Sequence, residues 1–77
     1  MNATRRKELN KLIEQLEDIK SQIENLQQEE QDAYDNLPES LQDSERGERM
    51  QEAADELENA ASSVDEVIDY INNAIEQ

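Results

Sequence analysis

Residues 36–44, Asn-Leu-Pro-Glu-Ser-Leu-Gln-Asp-Ser, separate two long patterns that are typical of helices. Pro38 disfavours helical backbone in the residue before it, so the first helix is expected to end near Asn36. Asp43 or Ser44 can begin the next helix, because either side chain can accept a hydrogen bond from its free backbone N–H groups. The stretch therefore predicts a short turn between two helices.

Apolar residues on both sides of this turn recur at alternating intervals of three and four, as in a helix that packs along a seam. The first series is Leu9, Leu12, Leu16, Ile19, Ile23, Leu26, Ala33 and Leu37, interrupted at Glu30. The second series is Met50, Ala54, Leu57, Ala61, Val64, Ile68, Ile71 and Ile75. With Asn2 or Thr4 as the first cap, the spacing predicts helices over about residues 4–36 and 44–76, with the turn at 37–43.

Two long helices joined by a short loop run antiparallel. The register that centres them on the loop places residues whose numbers sum to 80 opposite each other, so that Leu16 faces Val64 and Ile23 faces Leu57. The same register places the basic N-terminal turn against the acidic C-terminal helix. The predicted fold is all-α, a single helical-hairpin domain that spans residues 1–77.

Two local expectations follow from this register near the loop. Glu30 lies on the seam beside Arg46 and Arg49, and a buried carboxylate needs a partner, so an ion pair with one of these arginines is expected. Gly47, a poor helix former, falls opposite Ala33. Two small side chains there would let the helices approach closely.

The second helix carries an additional apolar stripe beside its seam. It consists of Ala53, Ala60, Val67 and Ala74, which recur every seven residues. The flanking positions of the first helix are Glu8, Gln15, Gln22 and Glu29, so the hairpin itself does not cover the stripe. Small scaffolds commonly need a partner to complete their core. A four-helix bundle, made by homo-oligomerisation of two coiled-coil hairpins, is predicted.

The composition argues against catalysis and against bound cofactors or metals. The chain has no histidine and no cysteine, which removes the usual general base, thiolate nucleophile and soft metal ligands. Carboxylate pairs such as Glu14/Asp18 and Asp65/Asp69 occur at helical spacing, but the glycine-containing acidic loop of a calcium site is missing. The sequence predicts a binding protein without an active site.

The net charge of −14 limits the possible partners. Nucleic acids and anionic membranes attract basic surfaces, so binding to either is not expected. No apolar run reaches the length of a signal sequence or a membrane span, and a cytoplasmic location is the default expectation. The acidity either keeps the protein soluble or imitates a polyanion, and the sequence leaves both interpretations open.

The turn gathers residue types that are rare elsewhere in the chain, and loops on a rigid scaffold often carry binding residues. The candidate binding residues at this hairpin tip are Tyr34, Asn36, Leu37, Pro38, Ser44, Arg46 and Arg49. An alternative interpretation is structural: Pro38 stops a helix, Ser44 caps the next one, and Arg46 neutralises Glu30.

The run from Tyr34 to Gly47, YDNLPESLQDSERG, resembles the turn of a group of short acidic helical proteins of unknown function from bacteria and their phages. The resemblance covers most of the chain, although only the turn is specific. It implies no reaction, and it suggests a phage origin. The resulting hypothesis is a non-enzymatic homo-oligomer that inhibits a host defence factor by binding it. The alternatives are a sponge for a signalling nucleotide, held by the tip arginines, and a purely structural bundle.

Overall fold

The computed structural model describes all 77 residues, Met1–Gln77, and it is entirely helical. Helix α1 spans Ala3–Asp35, the single-turn helix α2 spans Glu39–Gln42, and helix α3 spans Glu45–Ile75. Neither long helix contains proline, and Leu, Glu, Gln and Ala, all good helix formers, dominate both. The two long helices pack as a hairpin about 58 Å long and only 11 Å thick. The all-α hairpin predicted from the sequence is confirmed.

Side-chain caps fix where both long helices begin. Asn2 Oδ1 accepts a hydrogen bond from the backbone N–H of Arg5 at 2.8 Å. Ser44 caps α3 in the same manner by accepting from the backbone N–H of Gly47 at 3.3 Å. At the end of α1, the N–H of Asn36 donates to Asp32 O at 3.0 Å, and Pro38 follows two residues later. Both long helices therefore lie within one residue of their predicted ends.

The turn contains the short helix α2, which packs against the start of α3. Its N–H groups at Leu41 and Gln42 both donate to Pro38 O, at 2.8 and 3.1 Å. A Cβ atom on Gly47 would lie 2.5 Å from Leu41 O and closer still to Gln42 O. The expectation that Gly47 closes against Ala33 is wrong: Ala33 is exposed, and the backbone of α2 occupies the space beside the glycine.

The face that α1 turns towards α3 differs from the predicted seam. Leu9, Leu16 and Ile23 are half-buried as expected, but the one buried residue of α1 is Ile13. Lys20 and Gln27, which follow Ile13 at seven-residue intervals on the same side of the helix, are half-buried. The predicted seam residues Leu12, Ile19 and Leu26 are instead exposed.

The physical reason is that the column of Leu9, Leu16 and Ile23 has two neighbours, an apolar one that begins with Leu12 and a mixed one that contains Ile13, Lys20 and Gln27. One neighbouring helix covers only two adjacent columns. The column of Ile13 takes the place in the contact that the spacing rule assigned to the column of Leu12. On α3 the predicted seam is confirmed, with Ala54, Ala61 and Ile68 buried. Cross-helix contacts between Arg6 and Ile75, and between Gln31 and Gln51, lie within two residues of the predicted register.

Replacement of Gly47 by alanine tests the contact between α2 and α3. Alanine is favoured over glycine inside a helix by about 1 kcal/mol, so a free helical position would gain stability. Here we expect a net loss of about 1–3 kcal/mol, because the added methyl group displaces the carbonyls of Leu41 and Gln42. Urea unfolding measures the change. Ser62→Ala, at an exposed position of the same helix, is the control, and a stabilised Gly47→Ala protein would contradict the packing.

Candidate functional site

One face of the hairpin carries large apolar side chains that nothing covers. On α1 the exposed fractions are 47% for Leu12, 46% for Ile19 and 56% for Leu26, and on α3 Val67 is 45% exposed. Leu12 lies about one helical turn before the half-buried Leu16, and Val67 lies about one turn after the half-buried Val64. The columns of Leu12 and of Val67 therefore border the groove between the helices. We call these residues, with the exposed Ala53 and Ala60, the apolar face.

The opposite face of the groove is polar and is closed by side-chain contacts between the helices. Lys20 Nζ lies 2.8 Å from Asp65 of α3 and 3.9 Å from Glu24 of its own helix. Further towards the tip, the amides of Gln31 and Gln51 donate to each other at 3.5 and 3.3 Å. We call these four cross-helix residues the polar face. The two faces divide the hairpin lengthwise into a closed polar side and an open apolar side.

The Lys20–Asp65 pair is the one ion pair that joins the two long helices. The hydrogen bond to Asp65 raises the pKa of Lys20 above its usual value of 10.5, and the charges of Asp65, Glu24 and Glu17 act in the same direction. Partial loss of hydration opposes this increase without reversing it. The charged ammonium group therefore stays available to pair with Asp65, while the stem of Lys20 covers part of the groove.

The tip arginines lie on the same side as the apolar face, in a shallow cleft. Glu30, Glu45, Arg46, Arg49 and Met50 line this cleft. Arg49 pairs with Glu45, one turn before it in α3, and no cation lies within 4.0 Å of Glu30. The predicted ion pair of Glu30 with a tip arginine is therefore absent, because Glu45 is nearer along the same helix.

The other predicted tip residues build the turn and do not join the arginines in the cleft. Tyr34 is half-buried and its carbonyl accepts from Gln42 Nε2 at 3.2 Å and from the N–H of Leu37 at 3.0 Å. Asn36 and Pro38 are exposed at the ends of helices, and the Ser44 hydroxyl donates to the carbonyl of Leu41. The structure thus separates the seven tip candidates into two arginines at a cleft and five residues that form the turn.

The predicted oligomer stripe lies on the apolar face. Ala53, Ala60 and Val67 are exposed, and Ala74 near the open end is half-buried. Sequence reasoning missed that the α1 residues Leu12, Ile19 and Leu26 widen this surface. Ile13 is the signal that could have revealed them, because an apolar residue on the other side of the Leu9 column from Leu12 gives α3 a second place to pack.

The remaining surface is acidic and largely unpaired. Of the 21 Asp and Glu residues, only Glu30 is half-buried and all others are exposed. Three of them, Glu24, Glu45 and Asp65, have a cation within 4.0 Å. The carboxylates are spread along the helices and form no cluster suited to a metal ion. The outer surface therefore carries many exposed carboxylates, most of which have no cation within 4.0 Å.

The titration of Lys20 tests the cross-helix pair. A lysine whose pKa is raised by folding stabilises the folded state at every pH below its ordinary pKa. That contribution disappears as the pH rises through the pKa of the folded state. We expect Asp65→Asn to lower the pKa of Lys20, as followed by NMR of its Cε–H signals between pH 9 and 12. A Glu66→Gln variant, which removes an exposed neighbouring charge, should leave that pKa nearly unchanged. Equal titration in all three proteins would contradict the pairing.

Comparisons with known proteins add no relative. Scans against protein-family models, curated proteins and solved structures each found no match to this chain. No helix is both long and apolar enough to cross a membrane.

Proposed function

We propose that the protein is a non-enzymatic interaction protein in which two hairpins pair through the apolar face and present an acidic outer surface to a protein partner. The observation that supports self-assembly is the exposure of four large apolar side chains on one face, those of Leu12, Ile19, Leu26 and Val67. Only four hydrophobic residues are buried within the hairpin, which is a small core for a chain of this length.

The exposed area supports the same proposal. The hairpin exposes 5737 Å², whereas a compact folded monomer of its mass exposes about 4,800 Å². The excess of about 900 Å² is close to the roughly 800 Å² that each partner contributes to a stable interface. A second copy on the apolar face completes a four-helix bundle with an apolar core between two polar faces.

The bound partner is a protein with a basic surface, of the kind that ordinarily receives a polyanion. The unpaired carboxylates support this proposal, because they give the bundle the charge pattern of an anionic ligand without a nucleic acid. Occupying such a surface would block it. This agrees with the hypothesis of a phage-type inhibitor of a host defence factor, which the resemblance of the turn suggested, acting inside the cytoplasm.

The alternative of a nucleotide sponge receives less support from the geometry. An anionic ligand in the tip cleft would meet Glu30 and Glu45 beside the two arginines, and Arg49 is already paired. Tyr34, the aromatic residue among the tip candidates, does not line the cleft. The acidic surface is therefore the better candidate for recognition, and a purely structural bundle is the outcome if no partner binds.

Assembly is tested by adding one charge to the apolar face. Ile19→Glu and Val67→Glu place a carboxylate where the second copy would cover it. An unpaired buried charge costs about 3–5 kcal/mol. The dissociation constant of the dimer, measured by sedimentation equilibrium, should therefore rise a hundredfold or more. Ser21→Glu and Asn59→Glu add the same charge on the outer surface and should leave the dimer intact.

In the wild type, the melting temperature should rise with protein concentration, because dimerisation stabilises the folded chains by mass action. A wild type that is monomeric at 100 µM, or four variants with equal association, would sink the proposed assembly.

Recognition is tested by reversing charges on the outside of α3. Immobilised wild type, a Glu52→Lys/Asp55→Lys/Glu66→Lys variant and an Arg46→Ala/Arg49→Ala variant are exposed to lysate from cells that express the chain. We expect proteins retained by the wild type and the arginine variant to be lost from the charge-reversed one. Raising the salt from about 50 to 300 mM should release them, because screening weakens exposed charge contacts.

The specificity control is competition with double-stranded DNA, which should displace a protein held through its anion-binding surface. Retention that depends on Arg46 and Arg49 but not on the three carboxylates would overturn the acidic-surface model in favour of the tip. Retention by none of the three proteins would leave the structural bundle as the function.

A further inference from the structure

The two hairpins can cover each other's apolar faces in two orientations, and these differ in where the tips lie. A two-fold axis along the bundle brings both tips to the same end and packs α1 against α3 of the other copy. A two-fold axis across the bundle places the tips at opposite ends and packs α1 against α1 and α3 against α3. In both arrangements all neighbouring helices are antiparallel, so helix direction alone does not select one.

The apolar face is compatible with an axis across its centre. Leu12, Ile19 and Leu26 are spaced evenly about Ile19, and Ala53, Ala60 and Val67 are spaced evenly about Ala60. Because the register of the hairpin places Ile19 beside Ala61, both centres lie at the same level of the molecule. Rotation about this level places Leu12 on Leu26 and Ala53 on Val67, leaving no large side chain without a counterpart.

Charge distinguishes the two orientations. The half of the hairpin nearer the tip, residues 21–58, has thirteen carboxylates and two cations, a net charge of −11. The open half, residues 1–20 and 59–77, has eight carboxylates and five cations, a net charge of −3. With both tips at one end, the tip half of one copy, of net charge −11, would face the tip half of the other. With the tips at opposite ends, each tip half faces an open half of net charge −3. The sum of facing charge products falls by about half.

Screening does not remove this difference. Helices in a bundle pack about 8–10 Å apart, which is comparable to the Debye length of about 8 Å at physiological salt. The centres of the two halves of one hairpin lie several Debye lengths apart, since the molecule is 58 Å long. Lateral neighbours therefore dominate the electrostatic energy, and the favoured dimer is the one whose acidic half faces the less acidic half.

We propose that the two copies pair head to tail, with the tip of each hairpin against the open end of the other. This proposal rests on the proposed self-assembly and specifies its geometry. In this arrangement Arg5 of each copy approaches Glu29 and Asp32 of the other. Arg49 comes beside Tyr70, whose ring is 75% exposed in the single hairpin and can receive the guanidinium on its face. Each tip cleft is thereby completed by the other copy.

Spin labels report the orientation directly, because the chain contains no cysteine of its own. A label at Ser40→Cys marks the tip, and a label at Ser21→Cys marks a level near the centre of α1; both positions are exposed. Head-to-tail pairing predicts a Ser40–Ser40 distance close to the 58 Å length of the hairpin, together with a short Ser21–Ser21 distance. Dilution with unlabelled chain should remove both signals, which shows that they arise between copies.

Short distances at both sites would overturn the head-to-tail orientation while keeping the self-assembly. Absence of a dipolar signal at both sites would reject the two proposals together. A second measurement uses charge: Arg5→Glu should weaken a head-to-tail dimer about tenfold or more, because it adds repulsion at the other copy's Glu29 and Asp32. Lys7→Glu, two residues further along α1 and on its outer surface, should weaken the dimer less, and equal effects of the two changes would contradict the arrangement.

Discussion

The architecture depends on a limit of helix packing: one helix covers only about two adjacent columns of side chains on its neighbour. Helix α1 has two apolar columns, which begin with Leu9 and Leu12, and a mixed one of Ile13, Lys20 and Gln27, whereas α3 has three apolar columns. When the helices pair, one column on each is left at the edge of the groove. Both uncovered columns lie on the same side, because the Lys20–Asp65 pair and the Gln31–Gln51 amides close the other side.

This division gives each side of the hairpin a different role. The polar face makes the pairing of α1 with α3 specific at little cost, since its contacts are partly solvated and its charges are matched. In the proposed dimer, burial of the apolar face supplies the apolar area that the small core lacks. The acidic outer surface, with most carboxylates unpaired, is compatible with solubility and with recognition of a basic partner. In the proposed function, assembly and recognition use separate surfaces of the same helices.

Much of the fold could be predicted from local rules of helix termination, capping and heptad spacing. Pro38 ends α1, Ser44 caps α3, and the heptad spacing identifies the seam of α3 and the uncovered stripe through Val67. The seam of α1 could not be assigned from spacing, because the heptad rule favours the column of Leu12, Ile19 and Leu26 over that of Ile13, which continues with the polar residues Lys20 and Gln27. The choice between them depends on which side the polar contacts close.

The site was harder to predict than the fold, because it depends on the reach of long side chains. Glu30 was expected to pair with a tip arginine, but Arg49 meets Glu45 on its own helix first. Lys20 reaches Asp65 across the groove, although the register alone places it opposite Ala60. Gly47 accommodates the carbonyls of α2, a contact that exists only once the turn has folded into a helix. Such contacts depend on where the ends of the side chains lie in three dimensions, whereas residue numbers give only the level along the helix.

The central claim is that the apolar face is an interface between two copies of the chain. Isotope-filtered NOE spectroscopy on a mixture of labelled and unlabelled protein detects contacts between copies alone. The account predicts such contacts between the Ile19 methyl groups of the two copies, and between Leu12 of one and Leu26 of the other. A folded, helical sample without any contact between copies at these methyl groups, at concentrations up to 1 mM, would contradict it.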